Sequence, residues 1–229
     1  MLSTHFVLPT VAGELLAGEH RGLIQGPAGA LELRVHIPEQ ARANAVAVIC
    51  HPHPQFGGTL DNKVVFSLFR AYRELNLITV RFNFRGVGAS QGVYADGLGE
   101  QQDLLAVLTW LHQQGRFSAL TLAGFSFGSS VAAAVWPHAL AQGWAGVELL
   151  LIAPPVTRFL LPNQSLPEVA RVAYGDADEV IDPGQIAQWL DQFGQAADIA
   201  VFPNAGHFFH GQLTELKQWV ASGWRGIEA

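Results

Sequence analysis

Short, largely apolar runs alternate along this chain with longer segments whose apolar residues recur at helical spacing. "AVAVIC" (45–50) is apolar at every position and rich in β-branched residues, the pattern of a strand buried on both faces. "DNKVVFSLFRAYREL" follows, with Val64, Val65, Leu68, Phe69 and Tyr72 on one helical face and Asp61 or Asn62 as its cap. The spacing then predicts a strand in "LITVRFNF", a helix in "LGEQQDLLAVLTWLHQQG" ending at Gly115, and a strand in "ALTLAGF". After it come a helix of small residues closed by Pro137, and strands in "GVELLLIAPP" and "EVARVAYG". "PGQIAQWLDQFG" predicts a helix, "DIAVFPNAG" a strand and "TELKQWVASGW" a last helix, with His210 at its opening. Ahead of this series, "THFVLPT" and "ALELRVHIP" read as strands.

Regular alternation from residue 45 onward predicts right-handed crossovers and a mostly parallel sheet with helices on both faces. No repeat, low-complexity tract or linker divides the chain, so one domain over residues 1–229 is expected. In such sheets ligands bind beyond the carboxyl ends of the strands, and the residues just after each strand are where chemistry is sought.

Composition narrows the function classes. A hydrophobic fraction of 49% and a charged fraction of 14% supply a large core. The thirteen Lys and Arg residues are scattered in a chain of net charge −6, which argues against nucleic-acid and anionic-membrane partners. The lone Cys50 cannot form an internal disulfide, and the first residues show neither a basic start nor an unbroken apolar stretch. A cytoplasmic protein without a membrane span is expected.

"GFSFG", Gly124 to Gly128, matches G-x-S-x-G between a strand and a helix. A nucleophile turn of this kind is crowded, and glycines two before and two after the serine relieve clashes with neighbouring backbone. Ser126 is the candidate nucleophile, and the N–H of Phe127 the first candidate oxyanion donor. A serine needs a base, and the base an orienting carboxylate, expected in the order serine, acid, histidine. Of the downstream histidines, His138 lies beside Pro137, while His207 falls in the loop after "DIAVF", where a base reaches the serine; His210 lies one helical turn further. The acid is expected after "EVARVAY", where Asp176, Asp178 and Asp182 crowd. Asp182 before Pro183 reads as a helix cap with proline at the first position. Spacing does not separate Asp176 from Asp178.

"HPHPQFGGTLDNKVV", "RFNFRGVGASQG", "AGFSFGSS", "YGDADEV" and "PNAGHFFHG", in that order over roughly residues 30 to 225, resemble the α/β-hydrolases. More narrowly the chain resembles small capless bacterial serine hydrolases related to dienelactone hydrolase and acyl-peptidase-type esterases. The family's acid loop, G-x-x-D with an apolar residue two further on, is matched by Gly175, Asp178 and Val180. The resemblance therefore implies an α/β-hydrolase fold without a cap domain, with Ser126, Asp178 and His207 as nucleophile, acid and base. It implies a carboxylesterase-like enzyme for small-molecule esters. Thioesterase or peptidase activity, or a non-catalytic ligand-binding protein, are the alternatives. Because the nucleophile is serine, not the cysteine of dienelactone hydrolase, that enzyme's own reaction is not implied. The connection "VTRFLLPNQSLP" (156–167) is too short for a cap, which implies short acyl groups; Phe125, Phe127, Phe208 and Phe209 are candidates for a small apolar pocket or for core.

The second oxyanion donor is expected in "HPHPQFGG". Pro52 and Pro54 have no N–H, leaving the amides of His53, Gln55 and Phe56. If His51-Pro52 stands in the place of the family's His-Gly pair, His53 supplies it. The same stretch presents H-x-H, a partial zinc pattern, but "PQFGG" offers none of the ligands that usually follow. His51 is expected to hold the loop by a structural hydrogen bond. Gly86-x-Gly88 after a strand resembles part of a dinucleotide fingerprint, yet the third position is Gln91. Arg85 is expected to anchor that loop, and neither metal nor cofactor is expected.

Overall fold

A computed structural model describes residues 5–42, 44–144, 146–158, 170–192 and 198–224. Its strands are β1 (Thr10–Val11), β2 (Glu14–Leu15), β3 (Gly18–Gly26), β4 (Gly29–Ile37), β5 (Ala45–Cys50), β6 (Ile78–Phe82), β7 (Ala119–Phe125), β8 (Gly146–Ile152), β9 (Ala170–Gly175) and β10 (Asp198–Phe202). The helices are α1 (Lys63–Glu74), α2 (Leu98–Gln113), α3 (Phe127–Ala141), α4 (Pro183–Asp191) and α5 (Leu213–Gly223), with a 3₁₀ turn at Pro54–Phe56.

Eight strands form one sheet in the order β10-β9-β8-β7-β5-β6-β4-β3. β4 runs antiparallel to both β3 and β6, and every other pairing is parallel. The central strands are buried along nearly their whole length because both faces are covered, and β5 is apolar at every position. Val46, Val48 and Cys50 of β5 face the core beneath α2, α3 and α4, while Ala45, Ala47 and Ile49 face the core beneath α1 and α5.

Register carries the strand ends to one edge. Cys50 pairs with Gly124, Phe125 with Ile152, Ile152 with Ala173, and Phe202 with Gly175. The loops that follow β5, β7, β9 and β10 therefore emerge together. The strand order reverses between β5 and β7, the switch point at which such sheets open a crevice.

The pattern is corrected at four points. "THFVLPT" is not a regular strand: among its described residues His5 makes one isolated bridge to Ile24, and Thr10 belongs to the two-residue β1. That segment is tied instead to α2, where the Trp110 indole donates to the Phe6 carbonyl at 2.8 Å. β3 gave no strand signal because it is an edge strand, polar and glycine-bounded, with only two of its nine positions buried. Helix α3 runs through Pro137, because proline removes one backbone bond while Ala132, Ala133, Val135 and Ala139 keep packing on the sheet. His210 lies in the turn before α5, which opens at Leu213. Most of the 156–167 connection lies outside the described residues.

Asn62 caps α1 and Asp182 caps α4, each accepting from an amide inside its helix. The Asp182 carboxylate takes the Gly184 N–H at 2.8 Å. Asp182→Ala is expected to lower stability by about 1 kcal/mol and to leave any catalytic rate nearly intact. Chemical denaturation alongside a rate assay checks it.

Candidate active site

Ser126 stands between β7 and α3 with φ 53° and ψ −122°, a backbone region costly for any residue with a side chain. The surroundings hold it there. Its N–H donates to the Ile152 carbonyl at 2.8 Å, and its carbonyl accepts from the Ser129 amide at 2.9 Å and the Ser129 hydroxyl at 2.5 Å. The flanking glycines are required by close approach. A Cβ at Gly124 would fall on the Gly128 carbonyl, and one at Gly128 on the carbonyls of Cys50 and His51. That second approach presses the first turn of α3 against the end of β5.

The Ser126 Oγ lies 3.0 Å from His207 Nε2, and His207 Nδ1 lies 2.8 Å from Asp178 Oδ2. The exposures of the three are 8%, 3% and 8%, so the hydrogen-bonded chain is shielded from water along its length. An ionised carboxylate only accepts, so Nδ1–H donates to Asp178 and Nε2 is left to accept from the serine hydroxyl. Asp178 Oδ1 accepts from the amides of Val180 and Ile181, both at 2.8 Å, which fixes the direction of its other oxygen. The His207 ring lies between Phe125, 5.0 Å away, and Phe208, 5.2 Å away.

The two aspartates that spacing left unresolved have different neighbours. Asp176 turns to the backbone, accepting from the Asn204 amide at 2.6 Å, while Asp178 meets the imidazole. Glu179, which sequence reasoning passed over, also serves here, and Gly175 of the acid-loop match has a contact of its own. Glu179 Oε2 accepts from the His207 amide at 3.1 Å. Gly175 lets the Ala205 carbonyl approach to where its own Cβ would be. No local sequence signal marks either role, because both depend on β9 lying beside β10. Of the four phenylalanines proposed for a pocket, Phe125, Phe127 and Phe209 are core; Phe208 is 39% exposed.

The loop after β5 is compact. The His53 carbonyl accepts from Phe56 N at 3.1 Å and Gly58 N at 3.0 Å, and the His53 ring accepts from Gln55 N at 3.2 Å. The amides of Gln55 and Phe56 are thus used within the loop. The His53 ring packs 5.0 Å from that of Phe127, setting this residue beside the start of α3.

His51 is fully buried, with both ring nitrogens engaged. Nδ1 donates to the Pro52 carbonyl at 2.6 Å, and Nε2 accepts from the Phe84 amide at 3.0 Å. These partners tie the β5 loop to the end of β6. Burial pushes its pKa down to about 4, against a smaller upward pull from the Pro52 hydrogen bond. Above pH 6.5 neither folded nor unfolded chain is protonated at this ring. Between 6.5 and 4 only the unfolded chain binds the proton, so stability is lost as pH falls; below 4 both bind it. The wild-type advantage over His51→Gln is expected to shrink by roughly 3 kcal/mol across that window. Urea titrations at several pH values check it.

Arg85 holds the neighbouring "RFNFRGVGASQG" loop. Its guanidinium donates to both oxygens of the buried Asp103 at 2.7 to 3.1 Å, and these hydrogen bonds raise its pKa further. Among the described residues no group of three or more His, Cys, Asp or Glu is placed to hold a metal ion. No described helix is long and apolar enough to cross a membrane.

No family model matches the chain. An uncharacterized protein of Rickettsia prowazekii is 29% identical over 215 residues, 85% of this chain and 84% of that protein. An α/β serine hydrolase homologue of Coxiella burnetii is 40% identical, with a TM-score of 0.81, over 93% of this chain and 100% of that one. The α/β serine hydrolase without lid XC6422 of Xanthomonas campestris is 38% identical, also with a TM-score of 0.81, over 90% of this chain and 94% of that one. A mostly parallel sheet with a serine lifted on a strained turn at its switch point, and this degree of identity over nearly whole chains, lead to one assignment: the chain belongs to the α/β serine hydrolases without a lid.

Proposed function

We propose that the protein hydrolyses carboxylic esters of small acyl groups through an acyl-enzyme on Ser126. The observation that carries this reading is the continuous Asp178–His207–Ser126 hydrogen-bond chain, at 2.8 and 3.0 Å, ending on a strained turn at the carboxyl edge of the sheet. His207 Nε2 takes the hydroxyl proton as Ser126 Oγ attacks the acyl carbon. Asp178 holds the ring in the tautomer that leaves Nε2 bare and stabilises the imidazolium that forms. The proton then passes to the leaving alcohol, the acyl group stays on Oγ, and water enters by the same route in reverse to release the acid.

The tetrahedral intermediate carries its charge on the former carbonyl oxygen. The amides of Phe127, first residue of α3, and of His53, beside it across the β5 loop, are the proposed donors to that oxygen. The amino-terminal end of α3 adds a favourable field for the anion.

Chain length sets the substrate class. Each methylene contributes about 0.8 kcal/mol only where a wall buries it. The connection after β8 is too short to fold into a cap, so a long acyl chain would trail into water. Rates on p-nitrophenyl esters are expected to peak at roughly two to six acyl carbons, with no jump above the micellar concentration. A maximum at palmitate would overturn the substrate class. Faster turnover of thioesters or amides than of matched esters would move the reading to those bonds.

A further inference from the structure

His207 is gripped twice by consecutive residues of one loop. Asp178 holds its ring through Nδ1, and Glu179 holds its main chain, with Oε2 3.1 Å from the His207 amide nitrogen. Asp178 and the rings of Phe125 and Phe208 orient the imidazole, but a shift of the main chain behind it would carry the ring off these contacts. Nε2 would then swing away from Ser126, and a displacement near 1 Å costs about a hundredfold in rate. A fixed point on the main chain of the same residue opposes that shift.

The neighbouring contacts are of the same kind. Asp176 N donates to the Phe202 carbonyl at 3.2 Å, Ala177 N donates to the Ala205 carbonyl at 3.1 Å, and the Asp176 carboxylate accepts from Asn204 N at 2.6 Å. These hold the histidine loop only as far as Ala205. Glu179 is the side chain that reaches the backbone of His207 itself, and it makes no ion pair among the described residues. Residue 206 is shaped to admit it. Gly206 does not adopt a left-handed backbone, so conformation does not demand glycine there. A Cβ on it would meet Glu179 Oε2 at 2.7 Å, and the three nearest atoms all belong to Glu179.

We propose that Glu179 is a positioning residue for His207, fixing the main chain of the base while Asp178 fixes its ring. The assignment rests on the hydrolytic reading of Ser126 and His207. It adds a member to the site that acts through the histidine and touches no substrate.

The rate at which a fluorophosphonate labels Ser126 tests it, because that rate reads the histidine's action on the serine without needing the natural substrate. Glu179→Ala is expected to slow labelling about ten- to hundredfold with the probe's saturation constant unchanged. Glu179→Gln keeps an oxygen acceptor in the same place and is expected to restore the rate to within about threefold. Gly206→Ala should slow labelling of the wild type by displacing the carboxylate, and add nothing in the Glu179→Ala background. A wild-type rate in Glu179→Ala overturns the proposal, even if its melting temperature falls, since that would be a brace for stability alone. So does a glutamine variant as slow as alanine, or a Gly206→Ala effect equal in both backgrounds. Failure of wild-type Ser126 to label at all is a different result: it removes the hydrolytic reading and takes this assignment with it.

Discussion

Ser126→Ala is expected to lower kcat on a short p-nitrophenyl ester by about 10⁴ to 10⁶, and His207→Ala by a similar factor. The double variant should be little worse than either alone, because the serine attacks only when the histidine takes its proton. The fold should survive the serine change. Alanine at φ 53° carries the same backbone strain as serine, and the contacts that hold the turn use the main chain of residue 126: its N–H on Ile152 and its carbonyl on Ser129. A melting temperature near that of the wild type, with turnover reduced to this extent, separates lost chemistry from lost structure. Losses below about tenfold would be incompatible with a serine acyl-enzyme.

Asp178→Asn is expected to cost about 10⁴ in kcat, while Asp176→Asn changes it only a few-fold. The carboxylate of Asp178 is committed on both oxygens, Oδ1 to the amides of Val180 and Ile181 and Oδ2 to His207. An asparagine there keeps its carbonyl on the two amides and turns its NH₂ toward His207 Nδ1. The ring must then accept at Nδ1 and carry its proton on Nε2, the tautomer that cannot receive a proton from serine. The Asp176 carboxylate accepts from the Asn204 amide, which an asparagine carbonyl also accepts. Paired kinetics on the two variants checks this, and a larger loss at position 176 would reverse the assignment.

What the chain disclosed in advance follows from how local each signal is. β5 and β7 were legible to the residue because burial on both faces makes each run almost wholly apolar, with Thr121 the one polar side chain. Ser126 was legible because its turn needs glycines at 124 and 128, and both lie within the same five residues. β3 was not, since an edge strand has one neighbour and carries Glu19, His20 and Arg21 without loss. Pro137 misled for a related reason: its local cost is real, but the apolar face on either side of it is buried against the sheet. The choice between Asp176 and Asp178 needed the pairing of Phe202 with Gly175, which sets one carboxylate under a backbone amide and the other under the imidazole. Glu179 depends on that same long-range pairing, so nothing in "GDADEV" alone distinguishes it from a solvated surface acid.

The central claim is that Ser126 is a nucleophile made reactive by His207. The most direct measurement is intact-mass and peptide-mapping analysis of the protein after treatment with a fluorophosphonate. The account predicts one adduct per chain, located on Ser126, formed slowly or not at all in His207→Ala and absent from Ser126→Ala. A label that maps to another residue, or persists undiminished in Ser126→Ala, would contradict it.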